Sequence, residues 1–94
     1  GKLDFINITD ATWVSFMCRK LKSMRIQNLG AKLKMLDLEP CEKLSIESME
    51  YMVDNSAVPL GGQCDVVLNE RLLSRIPEEL KNKAKERRVI LRKR

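Results

Sequence analysis

Two short apolar runs late in the chain, Cys64-Asp65-Val66-Val67-Leu68 and Val89-Ile90-Leu91, constrain the fold more than any other feature. Each has the length and composition of a buried strand. Residues 69–87 between them are longer than the dozen or so residues that a parallel crossover needs. They also carry helical signals. Asn69 can cap a turn holding Leu72, Leu73 and Ile76. Pro77 suits the first position of a further helical segment, with Glu78 and Glu79 behind it and Leu80 and Ala84 on its inner face. The region predicts two parallel strands joined by helix, in the right-handed sense that nearly all such units adopt.

The earlier chain extends this pattern. Leu3-Asp4-Phe5-Ile6-Asn7-Ile8 reads as a first strand, and Thr9 or Asp10 as a helix cap. Trp13, Phe16, Met17, Leu21 and Met24 recur at spacings of three and four, which predicts an amphipathic helix. Arg19, Lys20, Lys22 and Arg25 fall on its other side and in its last turns, where cations complement the helix dipole. Asn28-Leu29-Gly30 ends it, with Gly30 left-handed. Lys32 to Leu38 reads as a strand stopped by Pro40, and Ser45 caps a helix bearing Ile46, Met49 and Val53. Asp54-Asn55-Ser56, Pro59 and Gly61-Gly62 mark the longest loop. The expected class is α/β (or α+β), one small domain over residues 1–94 in β-α-β-α-β-α-β order, with helices on a short mixed sheet. A helix-dominated domain ending in a hairpin-like strand pair is the alternative. Gly1 in place of an initiator Met reads as a domain excised from a longer protein.

With aromatics limited to Phe5, Trp13, Phe16 and Tyr51, the core must come from Leu, Ile, Val and Met. No apolar run approaches the roughly 18 residues of a membrane span. Cys18, Cys41 and Cys64 are odd in number and form no C-x-x-C pair, and His is absent. Free thiols in a reducing compartment, cytoplasm or nucleus, follow, with no metal and no cofactor expected. The missing His also removes the commonest general acid–base at neutral pH. Glu47 with Glu50 and Glu78 with Glu79 lie on polar helical surfaces, and Ser45, Ser48 and Ser56 lack a base partner. Gly61-Gly62 lacks the further residues of a phosphate-binding loop. A non-catalytic binding module is expected, with no small-molecule substrate evident and no membrane.

Leu33-x-x-Leu36-x-Leu38-x-x-Cys41-x-x-Leu44 resembles the pattern of cysteine-containing leucine-rich repeats, and Thr9-Asp10-Ala11-Thr12 resembles their I-T-D segment. That resemblance implies a strand-bearing repeat stacked on others in a solenoid. Leu3-Asp4-Phe5 and Leu36-Asp37-Leu38 lie 33 residues apart, whereas that class repeats at about 26. The run from Leu3 to Pro40 also resembles the central part of anti-sigma-antagonist (STAS) domains, through Asp10-Ala11-Thr12, a helix and Gly30-x-x-Leu33-x-x-Leu36. Trp13-Val14 stands where that family has Gly-Leu. No site residue follows from either resemblance.

Charge supplies the functional expectation. The net of +5 divides into +5 over residues 1–36, −7 over 37–70 and +7 over the basic C-terminal segment 81–94. Lys81, Lys85, Arg87, Arg88, Arg92, Lys93 and Arg94, with Arg19, Lys20, Lys22 and Arg25, form the candidate polyanion-binding set. Their partner would be nucleic acid, RNA or DNA, contacted through its backbone. Lys81 and Lys85 face one way on a helix, and Arg88 and Arg92 one way on a strand. The alternative is a protein–protein interaction or subunit domain of a larger assembly, using acidic 37–70 and its basic flanks. Pairing between the acidic and basic segments of one molecule would leave the tail structural.

Overall fold

The computed structural model describes residues 2–7, 13–15 and 19–94, the first two stretches by backbone alone. Its elements are β1 (Lys2–Asn7), β2 (Trp13–Ser15), β3 (Ser23–Gln27), β4 (Met35–Leu38), α1 (Ile46–Asp54), β5 (Cys64–Leu68), α2 (Glu70–Arg75), α3 (Glu78–Glu86) and β6 (Val89–Arg92). β1 pairs with β3, and a second sheet runs β2-β4-β5-β6. Every pairing is parallel, so the expected mixed sheet is a parallel one among the described residues. The predicted crossover between the last two strands is present, carried by α2 and α3.

The α/β class holds, and from Lys32 onward the elements fall where the sequence puts them. Ser45 caps α1, its side chain accepting the Ser48 N–H, and Asn69 caps α2 by accepting the Arg71 N–H. Pro77 is the cap residue of α3 and not its first helical residue. The N-terminal third differs. In place of the helix expected from Trp13, the described residues form β2 and β3. Met24 and Ile26 are buried on either side of exposed Arg25, a period of two that a half-buried strand requires. The helix of the STAS resemblance is overturned by the same strands. Thr9, Asp10, Phe16, Met17 and Cys18 lie outside the described residues.

β3 holds its place because α1 lies along it. Ser45 N–H donates to the Lys22 carbonyl (2.8 Å) at one end, and Asn28 N–H to the Asn55 carbonyl (2.9 Å) at the other. Between them the buried Ser48 hydroxyl accepts the Met24 N–H at 3.1 Å and lies 2.9 Å from the Ser45 hydroxyl. Removing that hydroxyl leaves the Met24 N–H buried without this acceptor. Ser48→Ala is therefore expected to destabilise by about 1–3 kcal/mol in urea unfolding, and an unchanged midpoint would contradict the role given to this bond.

One continuous core unites these elements. Leu36, Leu38, Cys64, Val66, Leu68 and Val89 of the larger sheet pack with Met49, Met52 and Val53 of α1 and with Leu72, Leu80 and Ala84. The positions Leu33, Leu36, Leu38, Cys41 and Leu44 are all at most 1% exposed, as the leucine-rich-repeat resemblance implies for one repeat. The equivalent points of successive strands are Val14, Leu36, Val66 and Leu91, which register places side by side. The 33-residue offset between Leu3 and Leu36 is not a strand-to-strand repeat, because β1 belongs to the other sheet. No helix among the described residues is long and apolar enough to cross a membrane.

Candidate interaction surface

Alternation gives the larger sheet a second face. With Leu36, Leu38, Val66 and Leu68 turned into the core, Met35 and Asp37 of β4, Asp65 and Val67 of β5, and Ile90 and Arg92 of β6 point the other way. Val67 is buried yet stands apart from the core cluster, as expected of a residue on this opposite face.

Charges of opposite sign meet there. Arg92 Nε lies 3.1 Å from Asp65 Oδ2, and Gln63 Nε2 donates to Asp65 Oδ1 at 3.0 Å. Arg94 pairs with Asp37, whose other oxygen accepts the Glu39 N–H at 3.0 Å. At the rim, Lys93 Nζ is 3.7 Å from Glu70 Oε1, with both side chains exposed. These contacts differ in weight. An exposed pair such as Lys93–Glu70 contributes about 0–1 kcal/mol. The Asp37 side chain is only 12% exposed, so losing Arg94 would strand a nearly buried carboxylate. Arg94 and Arg92 thus each hold a carboxylate of this face, while their own side chains are 67% and 40% exposed.

The remaining candidate bases divide between two places. Lys81 is 4.0 Å from Glu78, and the Arg87 guanidinium donates to the Asp54 carbonyl at 3.2 Å. Lys83, of the same basic segment, bonds Asp54 Oδ1 at 2.7 Å, which raises its pKa. Lys85 and Arg88 have no ion-pair partner among the described residues. Lys81 and Lys85 line one groove, as their four-residue spacing implies. Arg88 does not share a strand face with Arg92, because it precedes β6 in a left-handed conformation (φ 64°). Arg19, Lys20 and Lys22 are exposed before β3, and Arg25 is exposed within it, 6.0 Å from the Tyr51 ring centroid. That group flanks the smaller sheet and α1, whereas the C-terminal group belongs to α3 and β6.

Comparison with protein families, curated proteins and solved structures finds no match to this chain. The chemistry must be judged from its own side chains.

Cys41 and Cys64 are buried thiols. Burial, with the Asp65 charge second, pushes the Cys64 thiol up to about 12, so it stays protonated at neutral pH. The sign of the pH effect follows. Between 9.0, the ordinary value, and about 12 the unfolded chain has released this proton and the folded chain has not. Stability is therefore unaffected by this group below 9.0 and falls as pH rises through the window. Relative to Cys64→Ala, the wild type is expected to lose up to about 1.4 kcal/mol per pH unit there. Parallel alkaline unfolding curves for the two proteins would contradict this assignment.

The sequence did not single out Asp37, Asp65 and Glu70 individually. Its signal was the acidic 37–70 stretch facing a basic tail of equal and opposite charge.

Proposed function

We propose that this chain is a non-catalytic protein-binding module, in which a parallel sheet supported on one side by helices presents its other surfaces to a partner. The observation that carries the reading is the internal use of the basic tail. Arg92, Lys93 and Arg94 are paired with Asp65, Glu70 and Asp37. A polyanion that claimed Arg94 would have to leave Asp37 nearly buried and unpaired, a cost that counterion release at a few phosphates does not readily offset. The densest basic run of the sequence is thus better accounted for as an internal brace than as a phosphate-binding surface.

The test is a fluorescence-anisotropy titration against short single- and double-stranded RNA and DNA at several salt concentrations. Expected is binding no tighter than the non-specific range of about 10⁻⁴–10⁻⁶ M at physiological salt, without preference among the probes. Tight binding abolished by Lys85→Glu/Arg88→Glu, with the fold intact by circular dichroism, would replace this reading with the polyanion one.

A further inference from the structure

We infer that the free edge of β6 is a docking site for an extended acidic peptide segment of a partner protein. The segment adds as a strand beside Val89–Arg92 while its carboxylates meet Lys81, Lys85 and Arg88. The inference rests on the protein-binding reading above and adds its surface and the chemistry of its partner.

Three observations converge on this edge. β6 is terminal in the order β2-β4-β5-β6, so along one side its backbone N–H and C=O groups have no strand partner among the described residues. Such an edge is a template for a further strand. Along it runs a groove of about 220 Å³, lined by Glu78, Lys81, Asn82 and Lys85 of α3 and by Val89, Ile90 and Leu91. Glu78 lies 4.0 Å from Lys81, which leaves Lys85 as the unpaired cation of the lining. Successive strand side chains point to opposite faces, so a space touching three in a row lies at the strand's edge and not on a face. The groove therefore offers what strand addition needs: open backbone groups and apolar contact for alternate side chains.

The third observation is charge. Lys85 and Arg88 carry no ion-pair partner among the described residues, and Lys81 reaches only Glu78, at 4.0 Å. Arg88 occupies a left-handed position (φ 64°) where glycine would avoid the strain. A second copy of this chain is the wrong occupant, because pairing β6 with itself would bring the unpaired Lys85 and Arg88 of both copies to one seam, like charge against like. A nucleic acid would meet the cations but leave the strand edge and apolar lining unused. An extended segment alternating apolar and acidic residues satisfies all three features.

The experiment uses the full 94-residue chain and a dye-labelled short peptide alternating valine with glutamate, followed by anisotropy. Two further probes carry N-methyl groups on alternate backbone nitrogens, one in each frame, and a fourth has lysine in place of glutamate. Expected is micromolar binding of the acidic peptide. It should weaken by about tenfold or more with one methylated frame and with Lys81→Glu/Lys85→Glu, and the lysine peptide should not bind. These exposed or half-exposed lysines leave the core untouched, and circular dichroism checks the fold.

Binding of the acidic peptide that ignores both methylated frames or the lysine reversal would overturn the edge as the site and leave the protein-binding reading standing. Absence of peptide binding would also overturn it. That absence together with tight, Lys85- and Arg88-dependent nucleic-acid binding would overturn both.

Discussion

Gly30→Ala is expected to lower the unfolding free energy by about 2–5 kcal/mol, from two separable causes. Gly30 has φ +84°, where an L side chain is strained by roughly 1–2 kcal/mol. A Cβ there would also run into Val58 Cγ2 and sit 3.2 Å from Cys64 Cβ. Valine is stiff at χ1 and Cys64 lies on a core strand, so neither yields easily, and overpacking of this kind costs about 1–3 kcal/mol. The other loop glycines separate the causes. Gly61 has φ +83° but nothing within 4 Å of its Cβ position, so Gly61→Ala should show the backbone cost alone. Gly62 carries no positive φ and only ordinary contacts from 3.4 Å outward, so its alanine variant should be nearly neutral. Urea unfolding of the three variants checks the ranking. Measured against Val58→Ala alone, adding Gly30→Ala should cost less by the part of the steric share owed to Val58, and equal losses at Gly30 and Gly61 would show that the contact with Val58 has no weight.

Leu36→Ala is expected to cost about 2–5 kcal/mol. Leu36 is 0% exposed on an inner strand of the larger sheet, registered between Val14 and Val66. Deleting its isobutyl group leaves a cavity walled by hydrogen-bonded strands, which cannot close on it without breaking the ladder. A domain of this size has stability near the low end of about 5–15 kcal/mol, so the variant should approach the limit of folding. Each kcal/mol moves the melting temperature by roughly 4–8 °C, and thermal unfolding reads the loss directly. Leu60→Ala is the control. Leu60 is 88% exposed on the loop before β5, and its truncation should stay within about 0.5 kcal/mol. Similar melting temperatures for the Leu36 and Leu60 variants would contradict the placement of the core.

These two sites mark where the sequence was legible and where it was not. Gly30 was marked as left-handed, and it is, although it follows a strand and not a helix. β5, α1 and β6 carry local signals that agree with their tertiary setting: an apolar run, the Ser45 cap, an apolar triplet after basic residues. The stretch from Trp13 to Gln27 carries two signals. Apolar spacings of three and four fit a helix, while Met24-Arg25-Ile26 fits a strand. The Ser48 hydroxyl and the pairing with β1 favour the strand, and both partners are remote in sequence. The candidate surface divides in the same way. Opposite charge blocks were visible in one dimension. That Asp65 meets Arg92, and Asp37 meets Arg94, depends on the register of β4, β5 and β6, which no local pattern encodes. The resulting brace moved the functional weight from the tail to the strand edge beside it.

In the larger sheet the strands lie side by side in chain order, β2, β4, β5, β6, with β1 and β3 set aside in the other sheet. A sheet laid down in this order is like a coil of rope: turns can be added or removed at its end without re-threading the turns already there. Sheets whose first and last strands meet in the middle have no such freedom, because a change at either terminus reaches their centre. Here a duplicated strand–helix unit spliced after β6 would find its neighbour already in place, and its apolar face would continue the existing core. The architecture therefore lends itself to growth by repetition, and the free edge of β6 is the edge from which further turns would extend.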